Sequence, residues 1–341
     1  MSEPLDIVVP LGRDPFTDFA SGVPALGAPG HPPINFHAFA AATGGSFHDT
    51  HETVRPDRRF VLVLVPRRAG RALDAAAALK QRGHRVLCTW KECGAHQIAA
   101  FDSVAENRSA VEELRERVDA WVVASPAARE ACRSWPPSIR TIEMATPYPL
   151  DVPGWSVSCP LVERRGILVG TRDWDVPSRR HESAVRLAVA AAAAHPGGSV
   201  TIVNGDGLIG RLRAWRLRGR APIRIRPRLP YPDYLRLIAE HRVVLQRDQS
   251  GVPGQVAGDC LLAGTPCLGG DGMIDRMAFA DLPGGVDPDT AVLGEANRLL
   301  VDDARWTESV ASARASADRA LSFAAFRRAW AEITASWEGG R

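Results

Sequence analysis

The segment from Val243 to Gly270 narrows the fold of this 341-residue chain further than any other stretch. Val243-Val244-Leu245 is an apolar run too short for a helix. Its lack of polar alternation fits a strand of a parallel sheet covered on both faces. A turn of Ser, Gly and Pro follows, and a short helix is expected over Gly254 to Ala263, stopped by Gly264-Thr265-Pro266. Cys267-Leu268 resumes an extended run. Strand, glycine loop, helix and strand make a βαβ unit, whose loop lies beyond the carboxyl end of the strand, where open α/β sheets bind ligands. A helix N-terminus there offers unpaired N–H groups and a partial positive charge to a phosphate. Asp259 stands about a turn and a half into the helix, placed to accept hydrogen bonds from ribose hydroxyls.

The same alternation runs through most of the chain. Strands are expected at Asp6–Pro10, Phe60–Val65, Arg85–Trp90, Ala120–Ser125 and Ile139–Glu143, then at Gly166–Gly170, Val200–Val203 and Ile223–Arg226. Helices are expected between them, at Ile34–Ala42, Gly70–Arg82, from after Gln97 to about Arg117, Ala127–Ser134, Glu182–Ala194, Leu208–Arg218 and Pro232–His241. Gly12 to Pro33 reads as a long loop. Pro147, Pro149, Pro153 and Pro160 mark a linker, and so divide the chain into a domain over 1–150, a second over 151–320, and a closing helix over 321–341 that returns to the first. The length suits two such domains.

Composition excludes several classes. Hydrophobic residues at 45% and charged residues at 24% describe a globular chain and not a disordered one. A net charge of +3 is too small to argue for a nucleic-acid partner. The arginines from Arg211 to Arg228 read as a solvated helix face, with an anionic-ligand patch as the alternative and no aromatic interleaving for single-stranded nucleic acid. No run is long enough for an integral membrane segment, and no signal pattern opens the chain, so a cytoplasmic location is expected. The six cysteines lack CxxC pairing, and the His48-x-x-His51 pair lacks a third ligand, so no metal is expected.

The sequence from Gly254 to Pro266, with Asp259 inside it, resembles the donor-site motif of the GT-B-fold glycosyltransferases that use nucleotide sugars, in particular their retaining members. In that group two acids stand eight positions apart, and Asp259 matches the second, which holds the ribose. The first falls on Gly251 here, and the nearest upstream acid is Asp248. The resemblance spans roughly residues 60–335 and is strongest over 160–270. It implies two Rossmann-like α/β domains, with parallel sheets facing an interdomain cleft. It also implies transfer of a sugar from a nucleotide-diphosphate sugar to a small-molecule or glycan acceptor, with retention and with no metal or cofactor beyond the donor.

Site candidates follow from this implication. Arg172, just after a strand, matches the family's first diphosphate-binding cation, and Arg179 and Arg180 compete for the second. Gly251, Gly254 and Gln255 supply loop amides. His96 matches a histidine facing the reacting sugar, with Glu92 as its alternative, so His96, Glu92 and Arg172 form the catalytic set. Gly205-Asp206-Gly207-Leu208-Ile209-Gly210 also fits GxGxxG after a strand. In the family a turn at Gly205 and Gly207 passes close to the donor nucleotide. Arg224 and Arg226 on the next strand would suit a 2′-phosphate, which keeps an NADP-dependent oxidoreductase open. A sugar-nucleotide epimerase and a non-catalytic sugar-nucleotide-binding module are further alternatives.

Overall fold

The computed structural model describes residues 3–11, 15–203, 207–217, 219 and 221–337. The chain divides into two compact units, one of residues 1–152 with 320–341 and the other of residues 153–319.

The first unit opens with β1 (Leu5–Val8), β2 (Thr17–Asp18), α1 (Phe36–Thr43) and β3 (Ser46–His48). It continues with β4 (Phe60–Val65), α2 (Gly70–Gln81), β5 (Arg85–Trp90), α3 (Ala95–Asp102), α4 (Ala105–Arg117), β6 (Ala120–Val123), α5 (Pro126–Cys132) and β7 (Thr141–Glu143). The sheet order is β2-β3-β1-β4-β5-β6-β7, with every pair parallel except β2 with β3. All six residues of β4 are buried, because helices cover both faces of the sheet. Alternate side chains therefore enter different cores. Phe60, Leu62 and Leu64 join Phe39 and the small residues of α1, while Val61, Val63 and Val65 join Ala72, Ala76 and Leu79 of α2.

The second unit contains β8 (Ile167–Val169), α6 (His181–Ala193), β9 (Val200–Val203), α7 (Gly207–Leu217), β10 (Ile223–Arg226) and α8 (Tyr231–Ala239). Next come β11 (Val243–Leu245), α9 (Gln255–Ala263), β12 (Cys267–Leu268), α10 (Met273–Ala278), α11 (Asp289–Val301) and α12 (Asp303–Ala320). Its sheet is fully parallel, in the order β10-β9-β8-β11-β12. Connections leave β8 in one direction and β11 in the other, so the topological switch point falls between these two strands.

After α12 the chain returns to the first unit as α13 (Phe323–Ala335). The Asp151 carboxylate accepts from the amides of Phe323 (3.0 Å) and Ala324 (2.9 Å), an anion on the positive end of the helix. Trp330 is fully buried, meets Phe60 edge-on at 5.2 Å, and donates its indole N–H to the Glu3 carbonyl at 2.8 Å.

Strand and helix expectations hold closely, with two departures. One continuous helix is expected to reach Arg117, yet α3 and α4 separate at Ser103-Val104. Asn107 accounts for the break. Its buried amide donates to the Arg67 (2.8 Å) and Phe101 (3.3 Å) carbonyls and accepts from the Ala69 N–H (3.1 Å), which pins the start of α4 to the loop after β4. The polar stretch at Ser46 is a buried strand, because its polar groups find partners. His48 lies 3.2 Å from the Asp6 carboxylate and 2.8 Å from the Thr53 hydroxyl, and the Ser46 amide donates to Asp6 at 2.9 Å. His51 turns instead to Glu52, at 3.5 Å.

Replacing Trp330 with Ala removes the largest contact of α13 and leaves a cavity. Urea titration followed by circular dichroism is expected to show a loss of about 3–5 kcal/mol, and an unchanged midpoint would refute this role for α13.

Candidate functional site

Arg172, Arg179 and Arg180 follow β8 and Gly251, Gly254, Gln255 and Asp259 follow β11, so these candidates lie beyond the carboxyl ends of two neighbouring strands. Gly170, directly after β8, lets these elements approach. A Cβ built there would stand 2.7 Å from Val256 Cγ1 on α9 and 2.9 Å from Val244 Cγ1 on β11. The loops are also tied together. The Gln249 amide donates to the Ser178 carbonyl at 2.8 Å, and the Ser178 and Ser250 hydroxyls lie 2.8 Å apart.

Arg172 is exposed at this edge. It lies near Tyr234, whose hydroxyl is pushed well above its usual pKa by burial and by Asp259, against the pull of Arg172. The two candidates for the second cation differ. Arg179 is ion-paired with Asp173, whereas Arg180 is exposed, in a left-handed conformation (φ 43°) that turns the chain into α6. Gly251 also takes a positive φ (58°), and Gly254 takes φ 96° as the residue that caps α9. At Gly254 two demands coincide, since a Cβ would also stand 2.8 Å from Asp275 Oδ2. Gln255 is the first residue of α9, whose first turn holds no acid. Asp259 is 1% exposed and accepts a hydrogen bond from the Tyr231 hydroxyl at 2.7 Å.

Gly205 lies outside the described residues. Gly207 begins α7 with φ 54° and is exposed. In the first unit, His96 sits half-buried in the first turn of α3, and Glu92 is ion-paired with Arg67 at 3.0 Å.

Several residues that sequence reasoning passed over belong to this neighbourhood. Asp275, in the first turn of α10, is buried, accepting from Gln246 Nε2 (2.8 Å) and the Gly272 amide (3.2 Å). Burial and the nearby Asp248 push its carboxyl up to about 7. Asp248 itself caps its own turn, accepting from the Ser250 amide at 2.8 Å. His181, at the start of α6, is 1% exposed, with Nδ1 3.0 Å from the Thr171 hydroxyl and no partner among the described residues for Nε2. Burial lowers its pKa to about 4, so the imidazole is neutral. Tyr231 and Tyr234 are two of the three tyrosines in the chain and lie on α8, the helix expected over Pro232–His241. A hollow of about 290 Å³ lined by Arg164, Leu261, Phe279 and Trp306 reaches Gly264, at the opposite end of α9, and includes none of the candidates.

No protein-family model matches this sequence, and no curated protein matches it. Solved structures do. The chain is similar to a sucrose-phosphate synthase (tll1590) from Thermosynechococcus elongatus, with a TM-score of 0.63 at 14% identity, covering 99% of this chain and 100% of that one. It is similar to Anabaena Alr3699/HepE in complex with UDP and glucose, with a TM-score of 0.55 at 15% identity, over 82% of this chain and 79% of that one. OtsA in its apo form gives 0.58 at 13% identity, over 83% and 74%. These neighbours are GT-B glycosyltransferases, and the shared fold is the GT-B-like α/β architecture that the sequence predicts.

Asp275 makes stability depend on pH. Its folded carboxyl keeps a proton up to about pH 7, while an unfolded one releases it near pH 4. The folded state thus binds the extra proton between these values, and the stability this contributes is lost as pH rises toward 7. Asp275→Asn removes the ionisable group. The melting temperature of the variant minus that of wild type is expected to increase between about pH 5 and about pH 8. Thermal melts across this range check it, and a flat difference would contradict the raised pKa.

Proposed function

We propose that this protein transfers a sugar from a nucleotide-diphosphate sugar to an acceptor. The observation that carries the reading is the convergence at the β8–β11 switch point of an exposed arginine, a glycine loop capping α9, and a buried carboxylate one and a half turns into that helix. HepE has been solved with UDP and glucose and also with UDP-glucose, and a pneumococcal O-GlcNAc transferase, GtfA, with UDP and GlcNAc. These complexes support a donor of the same class here.

In this reading the α9 amides at Gly254 and Gln255 take the phosphates, and Gly251 leaves the loop open to them. Departure of the nucleoside diphosphate builds negative charge on its outer phosphate, and fixed cations lower the energy of that state. Arg172 supplies one. Arg180 is the better second choice, because Arg179 is already paired with Asp173. Asp259 takes the ribose, with Tyr231 orienting the carboxylate through its hydrogen bond. Gly205 and Gly207 flank the nucleotide. The first unit is assigned the acceptor, with His96 as the group that hydrogen-bonds the sugar or moves a proton. Glu92 is the weaker candidate because its carboxylate is engaged by Arg67. The reading includes retention of configuration and calls for no metal or further cofactor.

A thermal-shift panel of UDP, GDP, ADP, dTDP and NADP⁺ tests the class of donor. One nucleoside diphosphate is expected to stabilise the chain by about 2.7 kcal/mol at one hundred times its dissociation constant, and Arg172→Ala is expected to diminish the effect. A shift with NADP⁺ and with no nucleoside diphosphate would overturn the reading in favour of an oxidoreductase.

Asp259→Asn keeps the size of the side chain and removes its charge. It is expected to weaken that nucleotide roughly tenfold to a hundredfold in calorimetric titration, the equivalent of one or two charge-assisted hydrogen bonds. Unchanged affinity beside a lowered melting temperature would make Asp259 part of the scaffold with Tyr231.

A further inference from the structure

Helix α7 is turned the wrong way round for a helix on a globular unit. Its buried residues are Gly210 and Ala214, spaced i, i+4, so it rests on the unit by its smallest side chains. Leu208 (75% exposed), Leu212 (59%) and Trp215 (56%), spaced i, i+4, i+7, form an apolar ridge that faces solvent, with Ile209 beside it (63%). The other large exposed apolar side chains among the described residues, Phe16, Val104, Val162, Val286 and Val301, are far from α7 in sequence and form no such helical ridge.

The charge of this stretch of sequence has a single sign. From Gly207 to Pro232 the sequence holds eight arginines and no Asp or Glu. Arg211 and Arg216 flank the ridge and are exposed, and Arg213 is partly neutralised by Asp175 at 2.7 Å. Beside α7, the edge strand β10 adds exposed Arg224 and Arg226, with Arg228 just beyond. Gly207, Leu208, Arg211, Ile225, Arg226 and Pro227 line a hollow of about 250 Å³, which places two guanidinium groups around a space fit for a phosphate.

We propose that α7 and the adjoining edge of β10 dock this protein onto the surface of an anionic membrane. Leu208, Leu212 and Trp215 enter the headgroup region while the arginines meet lipid phosphates, the arrangement of an interfacial amphipathic helix. Charge complementarity selects this occupant. A second copy of the chain, pairing through the same face about a two-fold axis, would set arginines against arginines. No helix of the described residues is long and apolar enough to cross a membrane, so the attachment is to the surface. The proposal rests on the ridge of Leu208, Leu212 and Trp215 and on a vesicle assay; it shares only Gly207 with the donor reading, so failure of one is distinguishable from failure of the other.

Cosedimentation with vesicles of phosphatidylcholine, with and without phosphatidylglycerol, tests it. The wild-type chain is expected to pellet with the anionic vesicles, weakly at high salt, and to stay in solution with phosphatidylcholine alone. Leu208→Ser with Leu212→Ser is expected to reduce partitioning at least tenfold with no fall in melting temperature, because both side chains are already exposed. Arg211→Gln with Arg216→Gln is expected to do the same, at roughly fivefold per arginine. Partitioning that is absent, equal on both vesicle types, or unchanged in both variants would overturn the proposal. So would a dimer in sedimentation velocity that Leu212→Ser abolishes without any vesicle binding, which would make this face a self-association surface.

Discussion

The parallel pairing of β8 with β11 is the contact on which the second unit's chemistry rests. Val243, Val244 and Leu245 lie against Ile167, Leu168 and Val169, and the connections then leave in opposite directions. The two loops diverge from this edge, where open α/β sheets bind ligands, and are tied to each other through Ser178, Gln249 and Ser250. The pairing also fixes how deep α9 sits. With no side chain at Gly170, Val256 approaches the end of β8, which brings the N-terminus of α9 to the rim and not to a layer behind it. Any larger residue at Gly170 would displace the helix that holds Gln255 and Asp259.

A second constraint stands behind that rim. Asp275 reaches the back of Gly254 from α10 and is held there by Gln246, itself the first residue after β11. A neutral carboxyl in this position leaves the positive end of α9 uncompensated, whereas an ionised one would offset part of it. The elevated pKa of Asp275 and the depressed pKa of His181 have the same principal cause, burial; His181 is neutral near pH 7, while Asp275 is neutral below about pH 7 and ionises above it. The mobile charge at the rim is then left to Arg172 and Arg180, the two exposed cations.

How much of this was legible in the sequence follows from which physical signal each part emits. Strands buried on both faces show as unbroken apolar runs, so Phe60–Val65 and Val243–Leu245 were readable, whereas the switch point depends on strand order and appears only in the folded sheet. The Ser46–His48 strand was not, because its burial depends on Asp6, which is 40 residues away from Ser46 and visible only after folding. The break between α3 and α4 depends in the same way on where Asn107 finds its partners. Within the site, the loop glycines and Asp259 were legible from spacing along one segment. Asp275 and His181 were not, since each acquires its character from burial against another segment, and an isolated acid or histidine in a sequence carries no mark of that.

The arginine-rich stretch shows the opposite failure, in which a correct local observation leads to an incomplete reading. Eight arginines at near-helical spacing suggest a solvated face, and Arg211 and Arg216 are indeed solvent-facing. What the spacing concealed is which residues α7 packs on. A helix ordinarily buries its leucines and shows its glycine and alanine, and the hydrophobic gain from burying one large side chain, about 1.5–3 kcal/mol, enforces that choice. Here Gly210 and Ala214 are buried while Leu208, Ile209, Leu212 and Trp215 are not. Rotating the helix by half a turn would bury the leucines but would turn Arg216 toward the sheet. Desolvating unpaired guanidinium groups costs more than the apolar burial returns. The small residues of α7 therefore carry its packing on the unit while its large apolar side chains and arginines share the solvent side, the arrangement on which the membrane proposal rests.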